Sequence, residues 1–155
     1  MGKKSRFFKP ALSPTQQVLA MANTYGGRFR VGYDRNHALN WTGVVWPCGL
    51  SSHYEVQITY PYGRRPVVWV KNPRIQHFEN GKKVPHTFSD GSICLHVHED
   101  WEPWISIAAT LVPWLSLWLY HYEVWQATGQ WLGGGHDIGS SDDKREQRGR
   151  KKDKA

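Results

Sequence analysis

Cys94 is the side chain of this sequence best placed for chemistry. It follows a turn-forming run at 89–92, stands between Ile93 and Leu95, and precedes Trp-Glu-Pro at 101–103. That pattern predicts a thiol at the edge of a loop above the core, where its thiolate could attack an activated carbonyl. The alternative is that Cys94 is a small buried hydrophobe, as cysteines outside disulfides commonly are.

Three histidines and one acid lie near this cysteine in the chain. His86, His96, His98 and Asp100 are candidates to tune the thiolate or to move a proton. Cys94, His96 and His98 also alternate, so in an extended segment they could project to one side and bind a zinc ion. Because no Cys-x-x-Cys or His-x-x-x-His pair supports such a site, the zinc interpretation is the weaker one. We expect no metal and no other cofactor.

Two other groups carry weaker expectations. His136 follows three glycines and could be a mobile functional group, although a solvated loop histidine is the simpler interpretation. Cys48, between Pro47 and Gly49, is expected to be structural. Two cysteines allow at most one disulfide, and the N-terminus does not resemble a secretory signal. These features favour a reducing, cytoplasmic setting in which both cysteines are thiols.

The basic charge of the chain lies at its two ends. Residues 1–9 carry four basic and no acidic side chains, and residues 142–155 carry seven basic and four acidic ones. Residues 10–141 hold nine of each, so the net charge of +7 comes from the ends and the body of the chain is neutral. A basic nucleic-acid-binding face is therefore not expected.

The length and composition predict one folded domain with charged tails. A chain of 155 residues suits one domain, and an aromatic content of 14% excludes disorder throughout. We expect a basic tail at 1–11, the domain at 12–138 and a disordered charged tail at 139–155, where no apolar side chain occurs before Ala155.

Capping and β-forming residues predict the elements that must hold the candidate side chains. Ser13, Pro14 and two glycines at 26–27 predict a helix over about 13–24. Four runs rich in β-branched and aromatic residues follow, and the short links between them favour neighbouring antiparallel strands in a meander. These runs lie at 28–34, 40–46, 53–60 and 66–71.

The stretch at 72–93 is predicted to be a long structured loop. Proline, glycine, asparagine and aspartate are dense there, and hydrophobic periodicity is absent. Loops of this length in compact domains are usually functional or disordered, and the apolar Ile-Cys-Leu at the end of this one argues that it is anchored and functional. The sequence therefore places the functional site at the end of this stretch.

The segment at 103–122 contains no Asp, Glu, Lys or Arg and is long enough to cross a bilayer. Pro113 and several hydroxyl side chains interrupt it, and its flanks lack the Lys/Arg bias of a topology signal, so we favour a buried helix. Pro113 predicts a kink or a break, with helical pieces at about 104–112 and 113–126. A membrane-associated protein using 103–122 is the alternative.

Residues 84–107 resemble the active-site stretch of ubiquitin-conjugating enzymes. VPHTFSDGSICL at 84–95, followed by HEDWEPWISI at 98–107, is similar to the family's His-Pro-Asn, seven residues, Cys-Leu, and then Trp-Ser-Pro before a helix. YPYGRRPVVWV at 60–70 is similar to its Tyr-Pro-Phe-x-x-Pro-Pro strand, and NWTGVVWP to its second strand. The likeness covers about 12–125.

The resemblance implies a fold and a chemistry. The fold is α+β, with an N-terminal helix, a four-stranded antiparallel meander, an active-site loop and a central helix. Cys94 falls on the thioester-forming cysteine, and Pro85, Trp101 and Pro103 fall on family residues around it. His86 stands where the family has an asparagine credited with oxyanion stabilisation, so it is the second catalytic candidate, and the pH dependence should differ from the family's.

The end of the chain resembles shortened members of this family. Where the family usually adds two helices, this sequence turns at 128–131, as in the conjugating proteins of bacterial cyclic-nucleotide antiphage (CBASS) operons. In that group the resemblance implies a thioester between Cys94 and the C-terminus of a cyclic-nucleotide synthase or another ubiquitin-like protein, transfer to a target lysine, and loading with or without a separate activating enzyme. We therefore expect a cytoplasmic cysteine-dependent acyltransferase with no nucleic-acid or membrane partner. A binding module that keeps the conjugating fold without turnover is the alternative.

Overall fold

The computed structural model describes residues 9–76, 81–95 and 101–133. Helix α1 and a short 3₁₀ turn precede four strands, and a second helix follows them, so the predicted α+β class is confirmed. The elements are α1 (Pro14–Tyr25), the 3₁₀ turn (Gly26–Arg28), β1 (Phe29–Tyr33), β2 (Leu39–Val45), β3 (Tyr54–Tyr60), β4 (Val67–Asn72) and α2 (Leu111–Thr128). The expected tails at 1–11 and 139–155 lie almost entirely outside the described residues.

Helix α1 begins at the predicted capping residues. The Ser13 hydroxyl accepts a hydrogen bond from the Gln16 N–H at 3.1 Å, and the Gln16 side chain accepts one from the Ser13 N–H at 2.8 Å. This reciprocal pair satisfies two N–H groups that the first turn leaves without helical partners. Pro14 follows at the first helical position, and Gly26 ends the helix with a φ of +57°. The sequence placed both ends of α1 correctly to within one residue.

The four strands form one antiparallel sheet in the order β1-β2-β3-β4. Its register pairs Trp41 of β2 with Ile58 of β3, and Ile58 in turn with Val68 of β4. All three side chains are buried, since residues directly opposite each other on neighbouring strands point to the same face of a sheet. The predicted meander is therefore confirmed, with strand ends within one residue or so of those expected.

Helix α2 packs its apolar stripe on the inner face of this sheet. Its buried side chains recur at helical spacing, and the Tyr122 ring meets the Tyr54 ring of β3 edge to face at 6.5 Å. The Tyr122 hydroxyl also accepts a hydrogen bond from the Gln76 N–H at 3.1 Å, which fixes the chain after β4 to the helix. The buried residues of α2 are Leu111, Val112, Leu115, Trp118, Leu119, Tyr122 and Trp125.

The helical piece expected at 104–112 and the break expected at Pro113 are wrong, whereas the piece expected at 113–126 lies within α2. Residues 103–110 form turns and a bend rather than a helix, and one helix runs from Leu111 through Pro113 to Thr128. Pro113 is the third helical residue, where the missing N–H removes no intrahelical hydrogen bond, so the proline does not break the helix. Among the helices of the described ranges, none has both the length and the apolar character needed to cross a membrane.

Candidate active site

Cys94 lies at one end of a short hairpin whose other end is His86. The Cys94 N–H donates to the His86 carbonyl at 2.9 Å, and the Phe88 N–H donates to the Ser92 carbonyl at 2.9 Å. Between them Thr87 pairs with Ile93 in antiparallel fashion, so His86 and Cys94 stand directly opposite each other in this register. The predicted loop therefore ends in a paired ribbon.

The tip of this hairpin is a three-residue loop that closes on glycine. The Gly91 N–H donates to the Phe88 carbonyl at 3.0 Å, and Gly91 has a φ of +88°, as such hairpin loops require. The Asp90 carboxylate accepts from the Ser92 N–H at 2.9 Å and from the Ser92 hydroxyl at 2.6 Å. These two hydrogen bonds hold the pKa of Asp90 below its usual value. The turn predicted at 89–92 is confirmed.

A bridge to the sheet fixes the hairpin in place. The Ile93 N–H donates to the Val68 carbonyl of β4 at 2.8 Å, and both side chains are buried. The residue before the cysteine is thus tied to the last strand, while the cysteine itself is tied to His86. Two main-chain hydrogen bonds therefore fix the position of Cys94. One joins its neighbour Ile93 to β4, and the other joins Cys94 itself to His86.

His86 has an unusual main-chain conformation. Its φ is +54°, in the left-handed region that residues other than glycine seldom adopt. The surrounding hairpin holds it there, since its carbonyl is bound to Cys94 and the Thr87 hydroxyl donates to the Val84 carbonyl at 2.9 Å. Strained positions of this kind cluster at functional sites. The conformation also changes the direction of the imidazole relative to an ordinary strand residue.

The two cysteines differ sharply in exposure. Cys94 is buried, with 8% of its surface exposed, whereas Cys48 is exposed in the loop between β2 and β3. The Cys48 sulfur lies 3.1 Å from the Ser51 hydroxyl oxygen, and this contact is the main cause that lowers the pKa of the Cys48 thiol. Chemistry at Cys94 therefore has to be separated experimentally from that of a second, more accessible thiol.

The model of the Type II CBASS E2 protein family matches residues 17–138. The hairpin, the sheet and α2 all fall within this range. The chain belongs to the Type II CBASS E2 protein family. Membership gives it a conjugation-related role in CBASS defence, alongside other proteins of CBASS operons. No curated protein matches the chain.

The structure places some of the other predicted site residues of this CBASS E2 protein. Trp101 is buried, and its ring meets the Tyr60 ring edge to face at 5.9 Å, so it joins the start of the segment before α2 to the end of β3. His96, His98, Asp100 and His136 lie outside the described residues. In the ranges that are described, no three His, Cys, Asp or Glu side chains are grouped so that they could hold a metal ion.

Trp131 was not among the residues predicted for the site, yet its ring centroid lies 5.4 Å from that of His86. It is also close to two residues of α2, with centroid distances of 5.7 Å to Trp118 and 5.8 Å to His121. It follows His86 by 45 positions, so no local pattern in the sequence connects the two. The only available signal was a tryptophan placed just beyond the glycine that ends a helix.

Proposed function

We propose that this CBASS E2 protein carries the C-terminus of another protein as a thioester on Cys94 and passes it to an amine. The donor we propose is the cyclic-oligonucleotide synthase of a CBASS system, and the acceptor is a lysine side chain. The observation that carries the proposal is the pairing of Cys94 with His86, at the positions that resemble the conjugating cysteine and its assisting residue. The match to the Type II CBASS E2 protein family supports it.

The transfer consists of two acyl exchanges at one sulfur. The Cys94 thiolate attacks the carbonyl of an incoming thioester or other activated C-terminus, and the leaving group departs with the electron pair of the broken bond. In the second exchange an unprotonated amine attacks the new thioester. The carbon–sulfur bond breaks, the Cys94 sulfur leaves as thiolate, and the amine gives its proton to a base or to water.

His86 is proposed to assist at the reacting carbonyl. A neutral imidazole presents one N–H, which can donate to the oxyanion that develops on the carbonyl oxygen, and one unprotonated nitrogen, which can accept the proton of the amine. An asparagine at this position would offer only the first of these. Protonation of His86 removes the nitrogen that accepts the proton of the amine. Because histidine titrates near neutral pH, the rate of transfer should fall as His86 becomes protonated.

The burial of Cys94 favours a second candidate function. A donor tail has to reach a thiol in a residue that is only 8% exposed. A module that keeps the conjugating fold and binds its partner without turnover has no such requirement. The two candidates differ in one observable, which is a covalent bond at Cys94.

Intact mass of the full chain, co-expressed with the products of the neighbouring genes, distinguishes the two. The transferase predicts an adduct whose mass is the sum of the two chains less one water and which hydroxylamine cleaves, whereas a phosphine reductant leaves it intact. A disulfide would behave in the opposite way. Cys94→Ala should abolish the adduct, and Cys94→Ser or Cys94→Lys should trap an ester or an amide.

Cys48→Ser is the matched control, because it removes the exposed thiol and leaves the hairpin untouched. The adduct should persist in this variant. If the adduct survives in Cys94→Ala and is lost in Cys48→Ser, the proposed site is wrong. If the partner co-purifies with the wild type and with Cys94→Ala, and no covalent species forms in either, the binding module is the correct function.

A further inference from the structure

The segment after α2 turns back onto the Cys94 hairpin. Gly129 adopts the left-handed conformation, with a φ of +75°, and its N–H donates to the Trp125 carbonyl at 2.7 Å. The Thr128 hydroxyl donates to the Val124 carbonyl at 2.8 Å and accepts from the Gln130 N–H at 3.1 Å. These hydrogen bonds end the helix and reverse the chain.

This reversal places the indole of Trp131 between α2 and the hairpin. Its ring centroid lies 5.7 Å from Trp118 and 5.8 Å from His121, and 5.4 Å from His86 on the other side, with an interplanar angle of 49° to the His86 ring. Trp131 is partly buried and packs against the core. The position of the His86 ring is therefore coupled to the end of α2 through one side chain.

Packing against its neighbours, rather than hydrogen bonding, holds the indole of Trp131 in this place. The Nε1 atom of Trp131 is buried and has no hydrogen-bond partner among the described residues, so no polar contact of the ring fixes it. Gly133 provides the space, because a methyl group added there would lie 2.7 Å from Trp131 Nε1 and 2.9 Å from His121 Cδ2. Only a residue without a side chain lets the chain pass this close to both rings.

We propose that Trp131 is a positioning residue, which orients the His86 imidazole for its part in acyl transfer at Cys94. The inference rests on the function proposed above, and it adds that the segment after α2 is part of the reaction site. Trp131 acts through His86. Loss of the Trp131 side chain should therefore change the environment of the His86 ring and the pH dependence that this ring gives to Cys94. The hydrogen bond between the Cys94 N–H and the His86 carbonyl should persist.

The test uses the full chain without any donor, in a Cys48→Ser background. The first readout is the chemical shifts of the carbon-bound His86 ring protons, assigned with His86→Asn. These protons feel the ring current of a tryptophan 5.4 Å away, so Trp131→Ala should move them. The second readout is the pH profile of Cys94 alkylation by iodoacetamide. The inflection that His86 contributes should be absent in His86→Ala and displaced or absent in Trp131→Ala.

Two variants serve as matched controls. Leu132→Ala truncates the next side chain, which is 66% exposed, and should leave both readouts unchanged. Trp46→Ala removes an indole from a different histidine, His53, on which it stacks at 4.7 Å, so it should move the His53 resonances and not those of His86. Thermal unfolding of every variant establishes that it is folded.

A second pair of variants covers the case in which Trp131→Ala does not fold. Gly133→Ala should displace the indole and move the same His86 resonances. Trp131→Phe should fold, because it removes a buried donor that has no partner, and it should retain most of the wild-type pH profile. His86 resonances and an alkylation profile that are unchanged in a folded Trp131→Ala or Gly133→Ala protein would overturn the proposal.

The outcome separates this inference from the proposed function. One result is that the His86 resonances respond to Trp131→Ala in a protein that never forms a hydroxylamine-sensitive adduct. That result would support the contact between the two rings and would exclude a role for it in acyl transfer. An adduct that forms at wild-type rate in Trp131→Ala would retain the transferase and remove the positioning role.

Discussion

The side-chain amide of Gln17 accepts a hydrogen bond from the Ile107 N–H at 3.0 Å, across 90 positions of the chain. The same amide donates to the Ile105 carbonyl at 2.8 Å, and Gln17 is fully buried. One polar side chain of α1 thus satisfies two main-chain polar groups of the irregular segment before α2. The segment leads directly into α2, so this contact sets where that helix begins.

Gln17→Ala should destabilise the protein strongly. It leaves a buried N–H and a buried carbonyl without partners, at roughly 1–3 kcal/mol each. The measurement is the free energy of unfolding from urea denaturation. Asn23→Ala is the control, because it truncates an exposed polar residue of the same helix and should change the free energy by less than about 0.5 kcal/mol. Equal losses in the two variants would contradict the assigned role of Gln17.

Tyr54 should make the protein sensitive to alkaline pH. Burial, and then the hydrogen bond of its hydroxyl to the Glu123 carboxylate at 3.0 Å, raise the pKa of Tyr54 well above its usual range. A raised pKa means that the folded state favours the neutral phenol. This contribution to stability is complete below about pH 10, where the unfolded tyrosine titrates, and is lost as pH rises through the folded pKa.

Thermal unfolding between pH 8 and pH 11 tests this prediction. Tyr54→Phe should lower the melting temperature near neutrality, at a cost of about 1 kcal/mol for the lost hydrogen bond, and should lose less stability than the wild type above about pH 10. Some alkaline loss should remain, since burial also raises the pKa values of Tyr25 and Tyr60. Parallel curves for the two proteins would refute the role of Tyr54.

Asp90 should make the stability of the hairpin tip decrease at acidic pH. The hydrogen bonds from Ser92 lower its pKa, so its contribution to stability is present above the unfolded value of about 3.9 and is lost as pH falls through the folded pKa. The carboxylate is largely exposed, which limits the effect to about 1 kcal/mol or less. Asp90→Ala should therefore speed hydrogen exchange of the Phe88 and Cys94 amides at neutral pH.

A neighbouring substitution provides the comparison for Asp90. Ser89→Ala truncates an exposed residue of the same loop and leaves the hydrogen bonds between Asp90 and Ser92 in place, so it should leave those exchange rates as they are. Faster exchange in both variants would mean that any change in the loop opens the hairpin. In that case the Asp90 carboxylate has no special part in closing it.

Gly43→Ala should be poorly tolerated. A methyl group on Gly43 would lie 2.5 Å from Phe29 Cδ1 and 2.6 Å from the Arg28 carbonyl oxygen, so β1 and β2 would have to separate. Overpacking of this kind costs about 1–3 kcal/mol. Gly32→Ala is the control in the neighbouring strand, because nothing lies within 4 Å of the added methyl group. Denaturant unfolding should show a clear loss for the first variant and none for the second.

The sequence predicted the parts of the fold that depend on local signals. Ser13, Pro14 and Gly26 define α1 because each acts within one turn of the chain. The strands were predicted because runs of β-branched and aromatic residues, and the short links between them, are likewise local signals. The helix expected at 104–112 was wrong, since its polar groups bond to α1: the Ile105 carbonyl and Ile107 N–H to Gln17, and the Ala108 carbonyl to the Tyr25 hydroxyl at 2.7 Å.

In the candidate site, too, the features that depend on local sequence signals were predicted and those that depend on tertiary contacts were not. The turn before Cys94 could be predicted from its glycine and aspartate, whereas the catalytic role expected for His86 came from the resemblance to ubiquitin-conjugating enzymes and stays a prediction. The placement of Trp131 against His86 could not be predicted, because it depends on a chain reversal after α2 and on the space left at Gly133. Functional roles likewise remain predictions for Cys94, Trp101, His96, His98, Asp100 and His136.

The bridge between Ile93 and Val68 also covers part of an edge of the sheet. β4 is an edge strand, and edge strands offer unpaired main-chain groups on which other chains can add. The hairpin is hydrogen-bonded to this edge at Val68. The segment that carries the Cys94 thiol therefore blocks the addition of another chain at this point of the sheet. Damage to the hairpin would therefore expose these main-chain groups of β4, and a variant with a disrupted hairpin should aggregate more readily than the wild type.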